Sequence, residues 1–184
     1  MEHELTVVGI GGTPRPHSSS ERALDEALAC VEARGARTLR FTAADLDLPM
    51  YDPSAERQDP RATALLDALA RADGVVISTP GYHGGISGLL KNALDYVEEL
   101  RQADRPYLDG RAVGCIVSAH GWQATVTTLG AVRSIAHALR GWPTPLGVAI
   151  NGAAPDPAAT SAQLELLADQ VVGFARAHRA AVIA

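Results

Sequence analysis

A chain of 184 residues is long enough for one compact domain with a full core and too short for two generous ones, so a single domain over residues 1–184 is expected. The composition, 47% hydrophobic and 20% charged with 4% aromatic, excludes a disordered chain and fits a helix-and-sheet protein. A net charge of -5 argues against a nucleic-acid surface, which is basic, and no apolar run approaches the roughly 18 residues of a membrane span. The opening Met-Glu-His-Glu carries no basic region ahead of its apolar stretch, so a cytoplasmic location is expected. Cys30 and Cys115 lack metal-like spacing and read as packed thiols.

Leu5 to Ile10 is short, apolar and β-branched, as a buried parallel strand should be. Gly11 and Gly12 then turn the chain into Thr13-Pro14-Arg15-Pro16-His17-Ser18-Ser19-Ser20. From Ser20 the apolar residues Ala23, Leu24, Ala27, Leu28 and Val31 recur at helical spacing, up to a stop at Gly35. Hydroxyls and free N–H groups therefore gather at the positive end of a helix dipole, with the charge of Arg15 beside them, which makes an anion cradle. Ser18 and Glu21 also read as a capping box, which needs no ligand. Both readings stand at this point.

Arg37 to Phe41 is a short second strand, followed by a long connection from Thr42 to Asp59. A connection of that length either serves a function or is a surface loop pinned by its apolar residues. Asp59 and Pro60 give an N-cap and a first turn for a helix with Ala62, Leu65, Leu66 and Leu69 inward, ended before Gly74. Val75 to Thr79 is a third, central strand leading into Pro80-Gly81-Tyr82-His83-Gly84-Gly85-Ile86-Ser87-Gly88. Four glycines in those nine residues keep the loop bare, so that a flat ligand can lie on its backbone, with Tyr82 as a face to lean on. An ordinary Gly-rich turn and a solvent-facing His83 are the bland alternative.

Leu89 to Leu100 is a helix whose apolar face is broad enough to suggest a second contact surface, although a well-covered core helix would look the same. Arg111 to Ser118 is the fourth strand and delivers Ala119-His120-Gly121-Trp122-Gln123 to the same rim as the earlier loops. His120 is placed either to donate to a ligand or to cap the following helix, and Trp122 to cover the core. That helix, from about Thr125 to Leu139, turns Val126, Leu129, Val132, Ile135 and Leu139 inward. Pro145 lies within the fifth strand, Thr144 to Ile150, and puts it at a sheet edge. A final helix runs from about Ala158 to His178.

Strand and helix alternation of this kind means an α/β fold, a five-stranded parallel sheet covered on both faces. Right-handed winding gives the order 2-1-3-4-5, with the loops after strands one and three at the switch point where ligands bind.

Three stretches together resemble one known family. Gly12-Thr13-Pro14-Arg15-Pro16-His17-Ser18-Ser19-Ser20 is similar to a Gly-Ser-x-Arg-x-x-Ser-x-Asn phosphate loop, and Leu48-Pro49-Met50-Tyr51-Asp52 to a Leu-Pro-Leu-Tyr-Asp loop. Pro80-x-Tyr82-x-Gly84-x-Ile86-x-Gly88-x-Leu90-Lys91-Asn92-Ala93-Leu94-Asp95 resembles Pro-Glu-Tyr-Asn-Gly-x-x-x-Gly-x-Leu-Lys-Asn-Ala-x-Asp. All three, in this order, resemble the NAD(P)H-dependent FMN reductases, whose fold is the flavodoxin-like three-layer sandwich. Gly81 stands where that family has glutamate and His83 where it has asparagine. Ser87-Gly88 is more like the subgroup that supplies reduced flavin to sulfonate monooxygenases, and the loop after strand four lacks a glycine-rich pattern.

The resemblance implies that FMN binds with its 5′-phosphate against Thr13, Arg15, Ser18, Ser19 and Ser20. The ring would lie over Pro80, Gly81, Tyr82, His83 and Gly84, with Ser118, His120 and Gly121 as a third wall. NADPH or NADH would donate a hydride, without an acid or base from the protein, and a backbone donor after His120 would favour the reduced flavin. Electrons would then go to a partner monooxygenase as reduced FMN, or to a quinone, azo compound, nitro compound or metal oxyanion. A homodimer or homotetramer pairing through the Leu89–Leu100 helix is implied as well. The rival is a flavodoxin-like electron carrier with no NAD(P)H oxidation, a class that is typically more acidic and richer in aromatic residues around its flavin.

Overall fold

A computed structural model of the chain describes residues 4–54 and 59–183. The strands are β1 (Thr6–Gly11), β2 (Arg37–Thr42), β3 (Gly74–Pro80), β4 (Ala112–Ala119), β5 (Trp142–Pro143) and β6 (Val148–Asn151). The helices are α1 (Ser19–Glu32), α2 (Ala43–Leu46), α3 (Pro60–Arg71), α4 (Gly88–Asp95), α5 (Trp122–Ala138) and α6 (Pro157–Ile183). All pairings are parallel, in the order β2-β1-β3-β4-β5, and β6 also pairs with β4. This is the expected winding, and the carboxyl ends of β1, β3 and β4 share one rim.

Successive residues of a strand point to opposite faces, and the two cores follow from that rule. Val8, Ile10, Val75, Ile77, Cys115 and Val117 pack with Leu65, Leu69, Leu90 and Val132 on one face. Val7, Val76 and Ile116 pack with Leu24, Leu28, Leu164, Leu167 and Val171 on the other, beneath α1 and α6. Cys115 is buried, which pushes its thiol up to about 12, and Cys30 is half-buried. Both are free.

The expected fifth strand, Thr144–Ile150, is instead two short segments along one edge of β4. Pro145 brings no N–H to the ladder, and Leu146 donates its own to the Gln170 side chain at 2.9 Å, so the chain leaves the sheet between them. Proline did mark an edge, but by breaking the strand. The expected helix Leu89–Leu100 is α4 followed by a 3-10 turn, Tyr96–Leu100. Its apolar breadth is used within the chain: Leu90, Ala93, Leu94 and Val97 are core, and Leu89 and Leu100 pack against that core. Helix α5 begins three residues earlier than expected, and its buried residues are Thr125, Thr128, Val132 and Ala136, whereas Val126 is exposed. Small and hydroxyl side chains let this helix lie close to the loop after β3.

The Thr42–Asp59 connection contains α2, and its residues 55–58 lie outside the described ones. At the opposite end of the sheet Arg111 is fully buried and, among the described residues, makes no ion pair. It donates to the carbonyls of Ala70 (2.7 Å), Ala72 (3.1 Å), Tyr107 (3.3 Å) and Asp109 (3.0 Å), and burial lowers its pKa to about 10. Among the described residues no helix is long and apolar enough to cross a membrane.

Candidate active site

The loop from Gly12 to Ser18 is shaped by its own short hydrogen bonds. The Thr13 hydroxyl accepts the Arg15 N–H and donates to the Arg15 carbonyl, both at 3.1 Å, which folds the arginine back over the turn. Ser18 caps α1 by accepting the Glu21 N–H at 3.2 Å, and its Oγ lies 3.2 Å from that of Ser20. The capping box is only half made, because the Glu21 carboxylate accepts from the His17 N–H at 2.6 Å and from Arg40 at 2.5 Å. Burial raises the Glu21 pKa, but Arg40 and the His17 N–H outweigh it and hold the carboxyl below its ordinary value. The capping and cradle readings are therefore compatible. The cap uses one lone pair of Ser18, while the N–H groups of Ser19 and Ser20 belong to the first turn, where a helix has no acceptor of its own. Ser78 ties this turn to the next strand by donating to the Ser20 carbonyl at 2.7 Å.

After β3 the chain makes a two-residue hairpin. Tyr82 and Gly85 exchange both backbone hydrogen bonds at 2.9 Å, and the two tip residues, His83 (φ 51) and Gly84 (φ 83), are both left-handed, as a type I′ turn requires. Gly81 has a different reason for being glycine. A Cβ there would lie 3.0 Å from the Ala119 Cβ, 3.0 Å from the Thr128 Oγ1 and 3.3 Å from the Ala124 carbonyl, so the loop is pressed against α5. In the third loop Asn151 accepts the Gly121 N–H at 2.8 Å and the Ala153 N–H at 3.0 Å.

These loops enclose one cleft of about 710 Å³, well within the range of small-molecule sites. Thr13, Arg15, Ser18, Ser19, Ser20, Pro80, Gly81, Tyr82, Ser118 and His120 all line it. Of the expected site residues, His83 and Gly84 form the hairpin tip and Gly121 is the N-cap of α5, and none of the three lines the cleft. Of the backbone donors expected after His120, the Gly121 N–H is given to Asn151, while those of Trp122 and Gln123 belong to the first turn of α5. His120 is no helix cap: the N-cap of α5 is Gly121, and the imidazole lies over Gly152. Trp122 does not cover the core and is 58% exposed.

The donor set fits a phosphorylated, flat ligand. Among the described residues the Ser118 Oγ is a buried hydroxyl without a partner, in the cleft wall, and the Arg15 guanidinium makes no hydrogen bond or ion pair. The same wall offers backbone and hydroxyls but no trio of His, Cys, Asp and Glu that would hold a metal, among the described residues. Sequence reasoning missed the further wall made by Arg22 and Glu26 of α1 with Asp156, Thr160 and Ser161 at the start of α6. Helical spacing of Ser19, Arg22, Ala23 and Glu26 on one face was the available signal.

A family model for NADPH-dependent FMN reductases matches residues 5–155. The FMN reductase (NADPH) of Pseudomonas putida is 34% identical over 96 residues, which cover 52% of this chain and 48% of that protein. The NADPH azoreductase of a Bacillus species is 41% identical over 61 residues, 33% of this chain and 34% of that one. The chain thus spans less than half the length of either curated relative. Among solved structures, the NAD(P)H:(acceptor) oxidoreductase FerB of Paracoccus denitrificans superposes with a TM-score of 0.75 at 18% identity, covering 95% of this chain and 98% of that one. A flavodoxin, WrbA-like protein of Agrobacterium tumefaciens gives 0.67 at 19% identity, covering 96% and 99%. The fold is therefore flavodoxin-like.

Proposed function

Because this chain belongs to the NADPH-dependent FMN reductase family, we propose that it binds FMN in the cleft and oxidises NAD(P)H through it. The observation that carries the reading is the continuity of one cleft from the α1 cradle to the hairpin after β3 and to Ser118. Arg15, the Ser18 and Ser20 hydroxyls and the first N–H groups of α1 would hold the phosphate, Pro80 to Tyr82 would face the ring, and the Ser118 hydroxyl would take its partner from the ligand. Bound FMN supplies the redox chemistry, taking a hydride from the nicotinamide and passing electrons on. The protein contributes binding and orientation, and no side chain is needed as an acid or base.

The electrons leave in one of two ways, as reduced FMN handed to a partner monooxygenase or by reduction of a small acceptor such as a quinone, azo or nitro compound or metal oxyanion. The Pseudomonas relative is named for reduction of FMN and the Bacillus relative for reduction of azo compounds. We place the protein in the cytoplasm as a homodimer or homotetramer, and the exposed Tyr82, Trp122 and Val126 support an apolar contact between copies. Anaerobic stopped-flow mixing of FMN-loaded protein with NADPH and, separately, NADH tests the function. Loss of the oxidised flavin absorbance with either nucleotide is expected. Retention of colour with both, at saturating concentrations, would leave a flavin-binding electron carrier. Desalting distinguishes a resident flavin, which stays yellow on the protein, from a substrate that is released.

A further inference from the structure

A separate cavity opens at the amino ends of the strands, at the other end of the sheet from the cleft. It measures about 410 Å³, within the range of small-molecule sites, and lies between the turns that precede β3 and β4 and the last turns of α6. Arg105, Arg179, Asp73 and His178 line it. We propose that this cavity binds a small oxyanion, a carboxylate or a phosphate, through the guanidinium groups of Arg105 and Arg179.

The charges around it point to an anion. Arg105 and Arg111 both donate to the Ala72 carbonyl, at 3.2 Å and 3.1 Å, so two like charges are held on one acceptor. Burial first, and the charge of Arg105 second, lower the Arg111 pKa. Among the described residues neither arginine makes an ion pair. The further contacts of Arg105, to the carbonyls of Asp109 at 3.4 Å and Gly110 at 3.5 Å, are long, and a guanidinium has more N–H groups than these carbonyls take. Arg179 donates to Asp73 Oδ2 at 2.6 Å, and the same oxygen accepts the Thr6 N–H at 2.8 Å, which ties that pair to the start of β1. Asp109, the other acid of the wall, is exposed, and its carbonyl instead of its carboxylate receives the arginines. Three guanidinium groups, those of Arg105, Arg111 and Arg179, thus repel one another against two carboxylates. An oxyanion between the two that line the cavity removes that repulsion, and a guanidinium is shaped to take it.

The wall is also fixed in shape. Gly110 is left-handed (φ 72), and a Cβ there would lie 2.5 Å from His178 Nε2, so glycine is what lets the imidazole come this close to the turn. Phe174 stacks on that imidazole, with centroids 5.7 Å apart and planes 7° from parallel, and Trp142 packs against Phe174 at 5.7 Å. The imidazole is held in place beside the arginines as a further hydrogen-bonding group.

The test is residue-resolved NMR of the whole nitrogen-labelled chain, titrated with sodium benzoate and, separately, sodium phosphate, at an ionic strength held constant with sodium chloride. The amides of Asp73 and Gly110 report this cavity and those of Ser19 and Ser20 the phosphate cradle, so the two are read apart. Saturating shifts at Asp73 and Gly110 are expected. Saturation by benzoate alone would name a carboxylate as the ligand group, and by phosphate alone a phosphate. Arg105→Gln should weaken the binding by about tenfold or more. Asp109→Asn removes an exposed negative charge and no contact, so it should tighten binding by about two- to fivefold, and it keeps the inference testable if the Arg105 variant does not fold. Shifts confined to Ser19 and Ser20, shifts that never saturate with either probe, or an unchanged dissociation constant in either folded variant would overturn the inference.

Discussion

The Asn92 side chain holds Tyr51 and its neighbours from across the fold: its Oδ1 accepts the Tyr51 N–H at 2.9 Å, while its Nδ2 donates to the carbonyls of Pro49 at 2.8 Å and Leu48 at 3.2 Å. Tyr96 adds a bond from its hydroxyl to the Pro49 carbonyl at 3.0 Å. Two sequence motifs, forty residues apart, are therefore halves of one joint between α4 and the loop after α2. Asn92→Ala is expected to cost about 1–3 kcal/mol, because it removes three hydrogen bonds and strands the buried Leu48 carbonyl. Urea unfolding of the variant checks this, and a loss below about 0.5 kcal/mol, typical of a surface change, would contradict it.

Arg15 separates the phosphate from the ring. A charge-assisted bond to phosphate is worth roughly 1.5–3 kcal/mol, so Arg15→Ala should weaken FMN about ten- to a hundredfold. Riboflavin has no phosphate, and its affinity should hardly move. Calorimetry with both flavins supplies the comparison. Equal losses would mean that Arg15 shapes the loop, and no loss for either would move the phosphate elsewhere.

Gly81 marks where this chain parts from its family's glutamate. The Ala124 carbonyl belongs to a helix and cannot yield, so Gly81→Glu should destabilise the fold by about 1–3 kcal/mol, as overpacking does. Thr128→Ala removes one of the three crowding atoms and should return part of that loss in the double variant. Thermal melts of the two single variants and the double one decide the matter: strictly additive effects would mean that the two positions do not touch.

Glu21 makes the cradle sensitive to acid. Its folded pKa is lowered from an ordinary 4.5, because Arg40 and the His17 N–H outweigh burial. A depressed carboxyl stabilises the fold at pH values above the unfolded pKa and loses that contribution as pH falls through the folded one. The melting temperature of the wild type should therefore exceed that of Glu21→Gln at neutral pH, and the gap should close as the medium is acidified through the carboxylate range. A gap that stays constant with pH would mean that the charge on Glu21 contributes nothing.

Most of the frame was legible because its signals are local. β1, the glycine turn and α1 follow from an apolar run, Gly11 and Gly12, and a helical repeat, and Asp59-Pro60 marks α3 to the residue. The misses had physical causes. α5 mixes apolar and hydroxyl side chains, so its apolar periodicity pointed at Val126 although Thr125 and Thr128 are the buried positions. Its start is Gly121, held by a side chain thirty residues on, and no neighbouring residue announces it. The α1–α6 wall was hidden for a similar reason, since Arg22, Glu26 and Asp156 read as an ordinary solvated face until the two helices are set side by side. The breadth of the Leu89–Leu100 face was visible, but only packing shows that this chain's own core takes it up.

The hairpin at Tyr82 to Gly85 has a kinetic consequence. Its two mutual backbone bonds and left-handed tip are made within four residues of the chain itself, so the surface that it presents to the cleft is set by local geometry. Little chain entropy is then lost on association, and encounter should be fast and much alike for every flavin. Discrimination between ligands, and the effect of substitutions around them, should consequently appear as differences in residence time.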